Sequence, residues 1–243
     1  RDAVTTAVEA RGLTKRFGRL EVLRGLDLAI PRGRIVGLVG PNAAGKTTFI
    51  KSILGLVHPD GGELAVFGHR VNGHEGYRRQ IGYMPQAASF PGNLTGAEVL
   101  RMVRDLRQRA DADADALLQR FHLASELEKP VRTLSGGTRQ KLSAVVAFLF
   151  QPDLLILDEP TAGLDPIASG VLKDLLGECR ARGATVLLAS HTLAELEEVA
   201  DDIVFLLEGR VHFHGSIDQL RAVTGCERLE RAVAVLMERE RTP

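Results

Sequence analysis

Short apolar blocks separated by glycine, proline and charged residues run the length of the chain, and their periodicity changes twice. Residues 8–32 read as short strands and turns: a strand at 8–10, a turn at 16–19, then a strand at 22–30 that stops at Pro31-Arg32-Gly33. A compact apolar run at 34–39 leads into a glycine-rich turn at 40–46 and then a helical pattern reaching Leu56. Two further strands are expected at 64–67 and 81–84, bounded by Gly61-Gly62, Gly68 and Pro85.

Residues 87–150 change to a helical period. Thr95-Gly96-Ala97-Glu98 has capping-box spacing, in which hydroxyl and carboxylate each satisfy an orphaned backbone N–H. Val99, Met102, Val103 and Leu106 follow at helical spacing and predict one buried stripe. Asp111, Asp113 and Asp115 alternate with alanines and read as a solvated loop and helix start, since they lack the Gly and terminal Glu of a calcium-binding loop. Beyond Asp153 buried strands return, at 154–157 and 185–189, around a helix closed near Gly183. Residues 203–214 read as a hairpin turning at Glu208-Gly209, and residues 216–243 as a small amphipathic tail. Alternating strands and helices predict an α/β fold with a mostly parallel sheet covered on both faces. No internal repeat and no low-complexity linker is visible.

Composition narrows the classes. A chain of 243 residues with 44% apolar content can bury a substantial core. Lys plus Arg and Asp plus Glu are both 31, so no global charge points to nucleic acid or an anionic membrane. Cys179 and Cys226 belong to no metal-ligand or redox spacing, which predicts reduced thiols in a cytosolic compartment. Apolar runs such as 144–150 are far short of the roughly 20 residues that span a bilayer, and the start lacks the apolar core of a secretion signal. A soluble protein is expected. The chain begins at Arg1 rather than Met, so a few preceding residues are expected to be missing.

Candidate chemistry starts at Gly40-Pro41-Asn42-Ala43-Ala44-Gly45-Lys46-Thr47, which matches the phosphate-loop pattern between a strand and a helix. Its backbone N–H groups suit a polyphosphate, Lys46 the β- and γ-phosphates, and the Thr47 hydroxyl Mg²⁺. A second apolar strand ends in Asp158-Glu159, placing two carboxylates where open α/β sheets bind ligands. Asp158 suits Mg²⁺ through water, and Glu159 suits a general base toward the attacking water. In Leu134-Ser135-Gly136-Gly137-Thr138, Ser135 can cap the next helix while two glycines leave its start open to another phosphate. Two phosphate-binding helix ends with one base-presenting strand suggest that the second end serves another copy.

With these motifs in this order, the chain resembles the ATPase subunits of the ABC family over nearly its whole length. The resemblance implies a P-loop NTPase core, an N-terminal antiparallel β subdomain and a helical subdomain. The implied division is one domain over residues 1–243: core 8–86 and 151–215, helical lobe 87–150, tail 216–243. By resemblance Phe17 stacks on adenine, and residues 40–48, Thr48 included, form the Walker A loop. Gln86 is the glutamine of the Q-loop, which touches the metal and the attacking water. Residues 134–138 are the signature, residues 154–159 Walker B, Gly163-Leu164-Asp165 the D-loop, and His191 the switch histidine at the γ-phosphate. ATP and Mg²⁺ are the implied ligands. The implied assembly is a head-to-tail homodimer sandwiching two ATP molecules, with Ser135, Gly136, Gly137 and Asp165 reaching the partner's nucleotide.

Two departures from the family pattern stand out. Ala43 replaces a usual glycine and would be strained if that position needs a positive φ. Thr138 replaces the common glutamine that ends the signature. Neither removes a catalytic group, so activity is expected to survive.

With no membrane span of its own, a transporter subunit needs a transmembrane permease, which would hold it at the cytoplasmic face of the membrane. The alternative is a non-transport ABC ATPase acting on ribosomes or DNA. Such members carry inserts or second cassettes that this chain lacks, so no nucleic acid is expected. Within the family the single short cassette resembles exporter-type (ABC-2) subunits. Two stretches, starting at Ile81 and Leu193, resemble the ATPase of the transporter serving nitrous-oxide reductase, a periplasmic copper enzyme. That likeness implies copper-site maturation and a periplasmic accessory protein. Phe90 either docks a permease helix or packs inside the helical lobe. His212 and His214 share a strand face but have no evident third metal ligand, so they read as ordinary exposed histidines. Arg78-Arg79 reads as a solvated step.

Overall fold

The computed structural model describes residues 5–239 apart from Asn72 and His74. The last four residues of the expected tail therefore lie outside the described residues, as do Arg1 to Val4 and those two positions of the expected core.

Strands Thr6–Phe17 (β1) and Leu20–Pro31 (β2) form one long antiparallel hairpin, joined by Gly61–Val66 (β4) and His69–Arg70 (β5) in the order β2-β1-β4-β5. The sequence suggested shorter strands because register shifts at Ala10/Leu13, Leu13/Thr14 and Lys15/Arg16 interrupt the alternation of β1. The second sheet contains Ile35–Val39 (β3), Ile81–Met84 (β6), Leu154–Asp158 (β7), Thr185–Ala189 (β8), Asp202–Leu207 (β9) and Arg210–Ser216 (β10). Its order among the described residues is β10-β9-β3-β8-β7-β6, parallel throughout except for the terminal β9–β10 hairpin. Strands β3, β7 and β8 are buried at every position, as continuous apolar runs in a covered parallel sheet should be.

Helix Lys46–Ile53 (α1) follows β3 and stops three residues before the expected Leu56. Gly55 takes a φ of 67°, its N–H donates to the Ser52 carbonyl, and the Leu56 N–H donates to the Lys51 carbonyl. This double bond pattern closes a helix at a left-handed glycine.

The helical lobe contains Gly96–Arg107 (α2), Asp115–Arg120 (α3) and Gly136–Phe148 (α4). Thr95 and Glu98 form the expected capping box. The predicted stripe is only partly realised: Val99 is buried and Met102 and Val103 are half-buried, but Leu106 is 77% exposed. In that last turn the inward residue is Arg107, whose guanidinium donates to the carbonyls of Arg79 (2.8 Å) and Ile81 (2.7 Å). Phe90 is half-buried and packs against the main core, which favours its role within the protein over a free docking side chain.

Helices Pro166–Ala181 (α5) and Leu193–Val199 (α6) complete the core layer. The amphipathic tail folds as Ile217–Thr224 (α7) and Leu229–Arg239 (α8). Leu220, Leu229, Ala232 and Val233 join the same apolar cluster as β7 and α5, and Arg221 bonds Glu197 on α6 at 2.6 Å. His212 is half-buried with its ring edge-on to Phe205 at 6.3 Å, so only His214 matches the expected exposure. No group of three or more His, Cys, Asp or Glu among the described residues could hold a metal ion. Arg78 is also more than a solvated step, because it donates to the Gly55 carbonyl at 3.2 Å.

Candidate active site

Because β3, β6, β7 and β8 run parallel, their C-terminal ends emerge on one side of the sheet. There the chain forms an open cleft of about 500 Å³. It is lined by Asn42, Ala43, Ala44, Gly45, Lys46, Thr47 and Thr48 after β3, Gln86 after β6, Asp158 and Glu159 at the end of β7, and His191 after β8. Phe17 lines the same cleft from the tip of the antiparallel sheet and is 50% exposed. Gly40 and Pro41 stand behind it, where their carbonyls accept from Lys46 Nζ at 2.6 and 3.0 Å.

The loop conformation explains its residues. A Cβ at Gly40 would meet the Leu206 carbonyl oxygen at 2.1 Å, so no other residue fits. Gly45 has φ 106°, also a glycine conformation. Ala43 has φ 65°, so the strain anticipated for a side chain at this position is present.

Burial sets the electrostatics. Asp158 is 6% exposed and Lys46 8% exposed. Desolvation raises the Asp158 carboxyl above its ordinary value despite the opposing charge of Lys46, and lowers the Lys46 ammonium. Glu159 is also raised, chiefly by burial. Its backbone has φ 50° and its N–H donates to the Ala189 carbonyl at 2.8 Å. Oε2 accepts the His191 backbone N–H at 3.2 Å. Oε1 is buried with no hydrogen-bond donor, although His191 Nε2 lies 3.4 Å away. That orphaned oxygen on the cleft wall is suited to accept from a water molecule.

The residues fit Mg²⁺ brought with a polyphosphate. Thr47, Gln86 and Asp158 present only oxygen donors of the hard type, and the buried Asp158 charge lacks full compensation. So few protein ligands suit an ion that keeps waters and phosphate oxygens in its shell.

Ser135, Gly136, Gly137 and Asp165 do not line this cleft. Ser135 caps α4, accepting the Thr138 N–H at 3.1 Å. Two bonds and one close approach join α4 to the segment after β7. Gln140 Nε2 reaches the Pro160 carbonyl (3.5 Å), Lys141 Nζ pairs with Asp165 Oδ2 (2.6 Å), and a Cβ on Gly137 would lie 2.8 Å from the Gly163 carbonyl. The Lys141 hydrogen bond, together with the Ala168 N–H, holds the Asp165 carboxyl below its usual range.

Five lining residues were not anticipated: Leu20, Glu21, Val22, Arg24 and Glu208. Arg24 pairs with Glu208 at 3.2 Å, its N–H donates to the Gly209 carbonyl, and the Gly209 N–H donates to the Ala44 carbonyl, both at 3.0 Å. The β9–β10 turn thus clips the antiparallel sheet to the phosphate loop. The hairpin was legible, but nothing local signals this neighbour.

A family model described as "ABC transporter" matches residues 23–162, more than half of the chain. The chain belongs to that family. The daunorubicin resistance ATP-binding protein DrrA3 of Streptomyces coeruleorubidus is 40% identical over 231 residues, 93% of this chain and 73% of that one. The Nod factor export ATP-binding protein I of Ralstonia nicotianae is 34% identical over 236 residues, 93% of this chain and 72% of that one. Among solved structures, an ATP-binding subunit of an ABC transporter superimposes with TM-score 0.90 at 36% identity, covering 96% of this chain and all of that one. The ATP-binding cassette MJ0796, a dimer in a post-hydrolysis state with ADP and Pi, shares the fold at TM-score 0.77 and 23% identity, covering 86% of this chain and 98% of that one. This ABC ATPase hydrolyses ATP in the service of transport. No helix among its described residues is long and apolar enough to cross a membrane.

Proposed function

We propose that two copies of this ABC ATPase close head to tail around two ATP molecules and energise export through a separate transmembrane permease at the cytoplasmic face. The observation that carries this reading is the split between two groups of residues. Phe17, Lys46, Thr47, Gln86, Asp158, Glu159 and His191 line or flank one cleft, whereas Ser135, Gly136, Gly137 and Asp165 stand outside it in the same chain.

In this reading the N–H groups of the loop from Gly40 to Thr48 and the Lys46 ammonium bind the β- and γ-phosphates, and Phe17 stacks on the base. Thr47, Asp158 and Gln86 would hold Mg²⁺, which supplies neutralisation of the phosphate charge when bound. Glu159 accepts a proton from the attacking water through the orphaned Oε1, and His191 orients that carboxylate through its N–H and contacts the terminal phosphate. The second copy contributes Ser135, Gly136 and Gly137 to that phosphate and Asp165 beside it. Loss of the γ-phosphate removes these contacts and lets the dimer reopen. Residues 8–86 and 151–215 act as the catalytic body, 87–150 as the lobe carrying the signature, and 216–243 as the tail.

Names of relatives support export: daunorubicin resistance and Nod factor export. Copper-site maturation for nitrous-oxide reductase, with its periplasmic accessory protein, rests on the two sequence stretches alone. A role on ribosomes or DNA has no such support.

The test is complementation. Lys46→Ala and Ser135→Ala each disable both pockets of a homodimer, but a mixed dimer keeps one intact pocket. Mixing the two inactive proteins should restore ATP hydrolysis. A mixture as inactive as its parts would refute the shared pocket.

A further inference from the structure

Thr138 stands in the signature where a glutamine is common, and its hydroxyl lies 2.7 Å from Ser135 Oγ. The same Ser135 oxygen accepts the Thr138 backbone N–H at 3.1 Å. Ser135 is exposed and Thr138 half-buried, so the serine faces outward and the threonine sits behind it.

A serine hydroxyl has one proton and two acceptor positions. The Thr138 N–H fills one of them. When the Thr138 O–H donates as well, both are filled, and the Ser135 proton has no remaining use except to donate outward. A phosphate oxygen can only accept, so it selects this arrangement over the one in which Ser135 donates back to Thr138. Hydrogen bonds in such a chain also polarise one another, which makes the outward O–H a stronger donor.

We propose that Thr138 is a positioning residue that locks the Ser135 hydroxyl as a donor to the terminal phosphate held by a second copy of this chain. The inference rests on the head-to-tail reading above. It assigns Thr138 a role a glutamine side chain could not fill through the same hydroxyl, and it predicts that the residue acts only through Ser135.

The experiment measures ATP-driven dimerisation of the full chain by sedimentation velocity, in the Glu159→Gln background where ATP persists. Thr138→Val keeps the side-chain shape and removes the hydroxyl, whereas Thr138→Ser restores it. Thr138→Val removes the hydroxyl from both pockets of the dimer and should weaken the ATP dimer about ten- to a hundredfold, roughly three- to tenfold for each lost neutral hydrogen bond, and Thr138→Ser should recover it to within about twofold. ATP binding by the separate chains, read by nucleotide titration under dilute conditions, should stay unchanged, because Thr138 stands outside the cleft of its own chain; rescue by Thr138→Ser separates the hydroxyl's role from a frayed helix start. The Ser135→Ala/Thr138→Val double variant should dimerise no more weakly than Ser135→Ala alone. Parent-like dimers from Thr138→Val, or additive losses in the double variant, would overturn the role of Thr138. Parent-like dimers from Ser135→Ala would overturn the shared-pocket reading and this inference with it. Should Thr138→Val disturb folding, Thr138→Ala compared with Thr138→Ser reads the same difference.

Discussion

His191 Nε2 stands 3.4 Å from Glu159 Oε1 while the His191 backbone N–H donates to Oε2 of the same carboxylate at 3.2 Å. One residue just after β8 thus holds a carboxylate just after β7 in the cleft and leaves its buried Oε1 without a hydrogen-bond donor. Glu159→Gln keeps the shape and removes the basicity, so phosphate release should slow by about 10²–10⁴-fold, the range for a general base. Nucleotide binding should persist. Steady-state phosphate assays with parallel ATP titration check both, and parent-level turnover would exclude Glu159 as the base.

The buried carboxyl of Asp158 should leave a mark on stability. Burial raises it above its ordinary value, so the folded chain holds a proton there over a pH range in which the unfolded chain has released it. Stability of the nucleotide-free chain is therefore full below the ordinary carboxyl range and falls as pH climbs through the raised value. Asp158→Asn, neutral at every pH, should melt higher than the parent at neutral pH, by about 2–4 °C for each kcal/mol regained at this chain length. The advantage should shrink as the buffer is acidified, while turnover is lost. Calorimetric melts across pH would refute this if parent and variant coincided throughout.

Adjacent signature glycines should respond differently. A methyl on Gly137 would meet the Gly163 backbone carbonyl at 2.8 Å, whereas one on Gly136 would meet nothing within 4 Å. Gly137→Ala should lower the melting temperature, with overpacking of about 1–3 kcal/mol. Gly136→Ala should melt at or above the parent, since alanine is the better helix former. Both should lose hydrolysis, Gly136→Ala because its methyl obstructs the approach of the second copy's nucleotide. Thermal melts paired with ATPase rates separate the two.

Ala43 offers a stabilising change. A non-glycine residue in the left-handed region costs about 1–2 kcal/mol, and a new glycine costs about 0.4–1 kcal/mol through the unfolded chain. Ala43→Gly should therefore gain about 0.5–1 kcal/mol net and retain hydrolysis. A denaturant titration giving an unchanged midpoint would refute the net gain, and a midpoint lowered by the full glycine cost would show that the φ of 65° carries no strain.

Much of the site was legible because its chemistry is written in contiguous runs. Residues 40–48 and 154–159 each sit on a strand end, and a parallel sheet gathers strand ends without further instruction. The long β1–β2 hairpin was only half legible, since its bulges break the alternation that marks a strand. Leu106 was misread because helical spacing cannot reveal where neighbouring elements stop covering a helix, and Arg107 takes the inward place there. The tail's part in the main core, the approach of Gly137 to Gly163 and the Arg24–Glu208 pair all depend on contacts between residues distant in sequence. No local pattern encodes those.

The clip between the Glu208-Gly209 turn and Ala44 bears on how the protein is made. Every residue of the phosphate loop has been synthesised once Thr48 is added, yet the loop's carbonyl at Ala44 and its packing at Gly40 await β9 and the turn beyond it. A nascent chain broken off before that point would carry the motif without its shape. The shape that receives the phosphates is thus completed by residues made late in translation, long after the motif itself.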